Sequence, residues 1–341
     1  MRNKIFQRVL VCALAGLVLL GCSLFSSIFG GGGERSYQIR SADGSGIMDC
    51  NGEWLVGPVE REQGFVAGPL VAGLAPFMNL DQGYYTFIDQ NGEFPFDQEF
   101  DWALPFSEGL AAVRMDEEWG FIDTKGDMVI EPQFFAVMGE GFQNDLAVVA
   151  TKANDLGMPE EWVFIDPEGK QVLGPYRYAG PFSGKGRNLY AAVSVTGEQD
   201  DDIVSGFIDR NGEFVLGFTR EERLAVAGQY AEGLFPVRDI RLQFEEERCA
   251  IGFMDQDGEW VIEPQFCEVG PFQEGLAAAS ASDDPQEREF GYIDTDGEFV
   301  IRERYDFAQP FSGGCALVVW DGYRNQALID PQGKIIYEYE P

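Results

Sequence analysis

The sequence predicts an all-β repeat protein, built of three- to four-stranded β units that form a seven- or eight-bladed β-propeller. An open, solenoid-like array of β-hairpins is the alternative. Three observations carry this. An Asp-x-x-Gly tetrapeptide returns eight times, at Asp49 and Gly52, Asp89 and Gly92, Asp123 and Gly126, Asp166 and Gly169, Asp209 and Gly212, Asp255 and Gly258, Asp294 and Gly297, and Asp330 and Gly333, at spacings of 34 to 46 residues. Small, β-branched and aromatic residues alternate on both sides of each copy, the pattern of half-buried strands. No helical period of useful length appears after residue 35.

In chain order, residues 1–21 come first. Arg2, Lys4 and Arg8 precede an apolar run over 9–20 and small residues, the layout of a secretory signal that is short for a stop-transfer helix. Leu19-Leu20-Gly21-Cys22 resembles a bacterial lipobox. The resemblance implies cleavage before Cys22 and lipidation of its sulfur, and Ser23 is similar to the class sorted to the outer membrane in Gram-negative cells. Three chains would hold the protein firmly where one is marginal. Residues 22–36, with Gly30-Gly31-Gly32-Gly33, read as a flexible spacer, and 37–341 as the repeat domain.

Within a unit three strands can be read. The first is seen in Gly109-Leu110-Ala111-Ala112-Val113, the second in Gly120-Phe121-Ile122-Asp123, and the third in Val129-Ile130 after the turn; Tyr37-Gln38-Ile39-Arg40 is a degenerate first strand. The turn has a plain account. Gly supplies positive φ at the end of a short hairpin loop, and the Asp carboxylate accepts backbone N–H groups further on. The stretches Gly180-Pro181-Phe182-Ser183, Gly270-Pro271-Phe272-Gln273 and Gln309-Pro310-Phe311-Ser312 read as linkers between units, their aromatics as wedges between blades rather than ligand platforms.

These residues resemble the bacterial WG repeat, also called the KWG repeat. The likeness is fullest at Pro105-Phe106-Ser107-Glu108-Gly109-Leu110-Ala111 leading into Trp119-Gly120-Phe121-Ile122-Asp123. The Trp-Gly pair occurs there alone; elsewhere Gly stands behind Phe290, Ile251, Ser205 or Ser45, and three units replace it. The resemblance implies a repeat-built β protein in envelope or interaction roles, with no activity common to its members.

Composition narrows the function. The net charge is −34, near −37 without the first 21 residues, which disfavours nucleic acid and anionic lipid as partners. There is no His, which excludes His-based triads and the commonest metal ligand. Asp255-Gln256-Asp257-Gly258 and Asp294-Thr295-Asp296-Gly297 resemble the start of a calcium loop but lack the Glu that would complete it, so no metal or other cofactor is expected. The connections 151–162, 194–205, 238–250 and 280–290 are long and acidic and fall on one face, the expected location of any binding function. Cys249 falls opposite Cys267, a pairing expected in an oxidising compartment, and a bond between Cys50 and Cys315 would close a ring. The expectation is a non-catalytic, lipid-anchored envelope protein, attached to the membrane through Cys22, whose repeats bind a protein or glycan partner. A carboxylate-based glycan-acting enzyme and a calcium-dependent adhesion module are the alternatives.

Overall fold

A computed structural model describes residues 36–41, 44–60, 62–197, 199, 202–245, 249–282, 284, 288–322 and 324–339. The signal segment, Cys22 and the Gly-rich spacer lie outside the described residues.

The described strands form eight antiparallel sheets in chain order, each a simple meander. Blade 1 is β1 (Ser36–Ser41), β2 (Gly44–Asp49) and β3 (Trp54–Val59); blade 2 is β4 (Gly64–Val66), β5 (Leu74–Asn79) and β6 (Tyr84–Asp89). Blade 3 holds β7 (Trp102–Ser107), β8 (Leu110–Met115), β9 (Glu118–Asp123) and β10 (Met128–Phe134). Blade 4 holds β11 (Ala136–Gln143), β12 (Leu146–Ala153), β13 (Pro159–Ile165) and β14 (Gln171–Tyr176). Blade 5 holds β15 (Tyr178–Ala179), the extra β16 (Ser183–Lys185), β17 (Asn188–Ser194), β18 (Ile203–Ile208) and β19 (Phe214–Thr219). Blade 6 is β20 (Leu224–Val226), β21 (Phe235–Asp239), β22 (Ile251–Met254) and β23 (Trp260–Phe266), with a short helix, α1 (Ile240–Glu245), between β21 and β22. Blade 7 is β24 (Glu268–Val269), β25 (Ala277–Ser280), β26 (Phe290–Ile293) and β27 (Phe299–Tyr305). Blade 8 is β28 (Phe307–Ala308), β29 (Ala316–Trp320), β30 (Asn325–Ile329) and β31 (Ile335–Tyr339). Among the described residues helix α1 is the one departure from the expected absence of helix beyond residue 35, and none is long and apolar enough to cross a membrane.

The sheets stand in a closed ring. Successive residues of a strand point to opposite faces, so each blade serves two interfaces: Phe121 packs into the core between blades 3 and 4, while Ile122 packs into that between blades 2 and 3. Eight hydrophobic clusters result, one per interface. The eighth joins Tyr37, Ile39 and Met48 of blade 1 to Cys315, Leu317 and Leu328 of blade 8. The chain is thus an eight-bladed β-propeller, and the solenoid-like alternative falls.

The stretch read as a linker is corrected: it is the innermost strand of a blade and the turn that follows it. Gly270 donates to the Ala278 carbonyl at 2.8 Å, and Gln273 and Leu276 exchange hydrogen bonds at 2.9 and 3.1 Å. Its aromatics are wedges. Phe106, Phe142, Phe182, Phe272 and Phe311 are at most 2% exposed, and each meets an aromatic ring of the preceding blade: Phe87, Phe121, Phe164, Phe253 and Tyr292, at 4.7–5.0 Å between centroids. Rings in such tilted and edge contacts gain stabilisation beyond the area they bury.

Candidate functional site

Strand alternation fixes what lies at each end of the ring. In the four-stranded blades the turns between first and second strands share one end with the Asp-x-x-Gly turns between third and fourth, and the long loops between second and third strands lie at the other; in blade 1 the same Asp-x-x-Gly turn joins β2 to β3, and in blade 2 it follows β6. Two contacts confirm the shared end. Arg210, in the turn of blade 5, donates through Nη1 to the carbonyl of Asn144 in the first hairpin of blade 4. Cys50, in the turn of blade 1, is bonded to Cys315 at the first hairpin of blade 8, with Cα atoms 5.7 Å apart.

All eight Asp-x-x-Gly turns have one geometry. The Gly N–H donates to the Asp carbonyl at 2.8–3.2 Å, and the Gly φ lies between 76° and 87°. The Asp carboxylates face their own backbone: Asp89 Oδ1 accepts from Asn91 N at 2.8 Å and Glu93 N at 2.9 Å, and Asp255 Oδ1 from Asp257 N at 2.9 Å and Glu259 N at 3.0 Å. The Glu93 N–H, with help from Asn91 and Gly92, holds Asp89 below the ordinary carboxylate range. At Asp49 and Asp209 slight burial pulls the other way, and the N–H donors led by Glu53 and Glu213 outweigh it. Among the described residues no group of His, Cys, Asp and Glu could hold a metal ion.

The first hairpins build the site. In blades 2, 3, 6 and 7 the two central turn residues are Ala72-Gly73, Glu108-Gly109, Glu232-Gly233 and Glu274-Gly275; blade 4 uses Asn144-Asp145 and blade 8 Gly313-Gly314, and every one has φ between 51° and 93°. Paired positive φ defines the tight I′ turn, which favours Asn, Asp and Gly. Glu is an unusual choice there, and its side chain explains it. Glu108 accepts from Asn144 N at 2.7 Å and Asp145 N at 2.8 Å; Glu274 accepts from Gly313 N at 2.6 Å and Gly314 N at 2.9 Å; Glu232 accepts from Gly275 N at 3.0 Å. Each carboxylate therefore clasps the turn of the next blade through N–H groups that the hairpin ladder leaves unused. Asn144 continues the chain of contacts, donating through Nδ2 to the Phe182 carbonyl of blade 5 at 2.9 Å.

This ring of hairpins encloses a cavity of about 910 Å³ on the axis, lined by seven of the eight blades. Its wall mixes carboxylates (Glu108, Glu140, Glu232, Glu274), amides (Gln143, Asn144, Asn188, Gln229, Gln273), hydroxyls and one cation, Lys185. Such a concave surface with convergent donors and acceptors is the usual form of a ligand site. Sequence reasoning passed over it. The signal was there in the Glu-Gly pairs, whose turn chemistry differs from that of Asp-x-x-Gly.

The long loops expected to carry function lie at the opposite end, and residues 198, 200–201, 246–248, 283 and 285–287 of them lie outside the described residues. At that end Cys249 is bonded to Cys267, with Cα atoms 4.2 Å apart, tying the loop of blade 6 to the start of blade 7. Beside it Arg288 Nη1 meets Glu268 Oε2 at 2.8 Å. Burial pushes the Glu268 carboxyl up, against the pull of Arg288 and Arg238.

Four stretches, residues 85–119, 119–152, 251–280 and 290–323, match the model of the WG containing repeat. Each match begins on the third strand of one blade and runs on into the next, so the sequence unit is offset from the blade. No curated protein sequence matches the chain. Among solved structures it is similar to dihydro-heme d1 dehydrogenase NirN in complex with DHE, with a TM-score of 0.53 and 15% identity over 96% of this chain and 76% of that one. It is also similar to apo AztD from Citrobacter koseri, with a TM-score of 0.49 and 12% identity over 89% and 94% of the two chains. BamB from Moraxella catarrhalis gives a TM-score of 0.45 and 12% identity over 73% and 77%. At these identities the likeness is one of fold.

Proposed function

We propose that this chain, which carries WG repeats on an eight-bladed propeller, is a non-catalytic scaffold of the bacterial cell envelope. It is tethered by lipid at Cys22 and binds a protein or glycan partner at the mouth of its axial cavity. The observation that carries the reading is the cavity of about 910 Å³ ringed by the first hairpins of seven blades. The earlier expectation placed binding among the long loops; the cavity favours the opposite end. Three of the four lining glutamates clasp backbone N–H groups of the neighbouring blade, which suits fixed acceptors better than an acid and base exchanging protons with a substrate. The charge of −34 keeps nucleic acid out of the partner class.

The test uses the full chain carrying Cys22→Ser, probed against an immobilised glycan panel and against envelope extracts. Expected is a specific partner whose retention falls with Gln143→Ala plus Gln273→Ala and survives Asp155→Ala plus Asp284→Ala on the long-loop face. Retention lost only through the loop variants would overturn the cavity assignment. Separately, radiolabelled fatty acid should enter the native chain in bacteria and not Cys22→Ser; equal labelling of both would remove the anchor.

A further inference from the structure

Because the hairpins around the axis do the same structural work, their sequences should match wherever only the fold is served. Most do. Pro69, Pro105, Pro181, Pro271 and Pro310 occupy one position, and the residue before it is Gly68, Leu104, Gly180, Gly270 or Gln309. Three adjacent blades break the pattern. Blade 4 places Glu140 where the others have an uncharged residue and Gly141 at the Pro position, and blade 6 places Gln229 at that same position. Blade 5 extends its hairpin by four residues, which forms β16 and brings Lys185 and Asn188 to the cavity wall.

Neither the turn nor the wedge requires these changes. Glu140 is 4% exposed and stands where Gly or Leu serves the fold in other blades. All four residues line the same cavity. Together they present a carboxylate, an ammonium and two amides along one arc of the wall. Hydroxyl groups, which both donate and accept, pair naturally with amides. The charged lining is four carboxylates to one lysine, inside a molecule of charge −34, so an anionic sugar is repelled and a cationic one drawn in.

We propose that the cavity takes an amino sugar bearing a free, protonated amine, recognised by Glu140, Lys185, Asn188 and Gln229 on blades 4, 5 and 6. Glu140 receives the ammonium, and the amides and Lys185 receive the ring hydroxyls. The proposal rests on the cavity reading above and narrows its glycan branch.

The probes are a β-1,4-linked glucosamine tetramer and its fully N-acetylated counterpart, titrated calorimetrically into the full chain carrying Cys22→Ser. The amine tetramer should bind at least about tenfold more tightly than the acetylated one. Glu140→Gln should weaken it by about tenfold, the scale of one charge-assisted hydrogen bond, and should leave the acetylated tetramer unaffected. Gln229→Ala and Asn188→Ala, on exposed or half-buried hairpin positions, should weaken both, and they keep the test open if Glu140→Gln fails to fold. Diffuse adsorption to an acidic surface would barely notice one charge removed, so equal binding by all variants overturns the proposal, as does no binding of the amine tetramer. Equal binding of both tetramers, lost in Gln229→Ala, overturns the amine assignment and leaves the cavity as a glycan site. A partner that ignores every cavity variant overturns the cavity reading itself.

Discussion

Asp89 and Gly120 show how much one residue settles in each blade. The folded chain holds the Asp89 carboxyl below its ordinary value of 3.8, chiefly through the Glu93 N–H, and Asp49 and Asp209 are lowered too. A lowered carboxylate contributes stability that is complete above the unfolded pKa and lost as pH falls through the folded one. Acid unfolding should therefore begin below about pH 4. Asp89→Asn, which keeps the acceptor oxygen and removes the titration, should make the fall of stability from pH 5 to pH 2 shallower. Urea midpoints across that range would show it, and an unchanged slope would count against the assigned role. Gly120 explains the Gly of the Trp-Gly pair. A Cβ there would lie 2.5 Å from the Ile130 carbonyl oxygen and 2.8 Å from Pro132 N, because the outer strand bulges across it. Gly46, Gly206, Gly252 and Gly291 meet the outer strand in the same way. Where Gly is replaced the outer strand differs: opposite Ala327 the ladder runs regularly from Gln326 to Leu328, and near Val163 the outer strand supplies Gly174 at φ 101°. Gly120→Ala should cost about 1–3 kcal/mol, the scale of overpacking, in the chemical denaturation midpoint; a loss under about 0.5 kcal/mol would mean the bulge yields freely.

At the scale of elements, the sequence shows three strands of each blade and hides the fourth. The second and third strands read plainly because they are continuous runs such as Leu110-Ala111-Ala112-Val113 and Gly120-Phe121-Ile122, buried on both faces. The innermost strand pairs over as few as two residues, Glu268–Val269 or Phe307–Ala308, before Pro271 or Pro310 removes an N–H. Too short for any alternation to register, it reads as a linker. Its following turn is where the blades are hooked together, which a single-unit reading of Glu-Gly-Leu cannot reveal, because the carboxylate's partners are about 40 residues away. Glu274 holds φ at 57°, which an L-residue adopts at a cost, against two hydrogen bonds to blade 8. Glu274→Ala keeps the strain and loses the clasp, and should destabilise by about 1 kcal/mol. Glu274→Gly loses the clasp and relieves the strain, so it should recover part of that loss. Thermal or urea midpoints that rank Gly at or below Ala would contradict this account of the turn.

For the whole molecule the eight turns announce eight units, and the eight interblade clusters convert them into a ring. What single-unit patterns cannot convey is how the ring is locked. Among the described residues no strand is shared between blades 1 and 8: the former begins at β1 and the latter ends at β31. The closing interface therefore rests on its apolar cluster, on Tyr37, whose hydroxyl donates to the Cys315 carbonyl at 2.6 Å, and on the Cys50–Cys315 disulfide. The two disulfides differ in what they restrain. Cys50 and Cys315 are 265 residues apart, whereas Cys249 and Cys267 are 18 apart and tie neighbouring blades already joined by the chain. In the chain-entropy account, the unfolded state loses more freedom to the longer loop, roughly 5.5 kcal/mol against roughly 3. Opening the first bond also frees the faces of blades 1 and 8, where buried apolar surface and strand edges would meet solvent or another copy. Cys50→Ser should lower the urea midpoint more than Cys249→Ser and, near its own midpoint, should shift the chain toward larger species on size exclusion, while Cys249→Ser stays monodisperse. Dithiothreitol should bring the native chain down to the stability of the Cys50→Ser, Cys249→Ser double variant and leave that variant unchanged. A greater loss from Cys249→Ser would mean that the apolar cluster alone closes the ring and that the long-range bond restrains little.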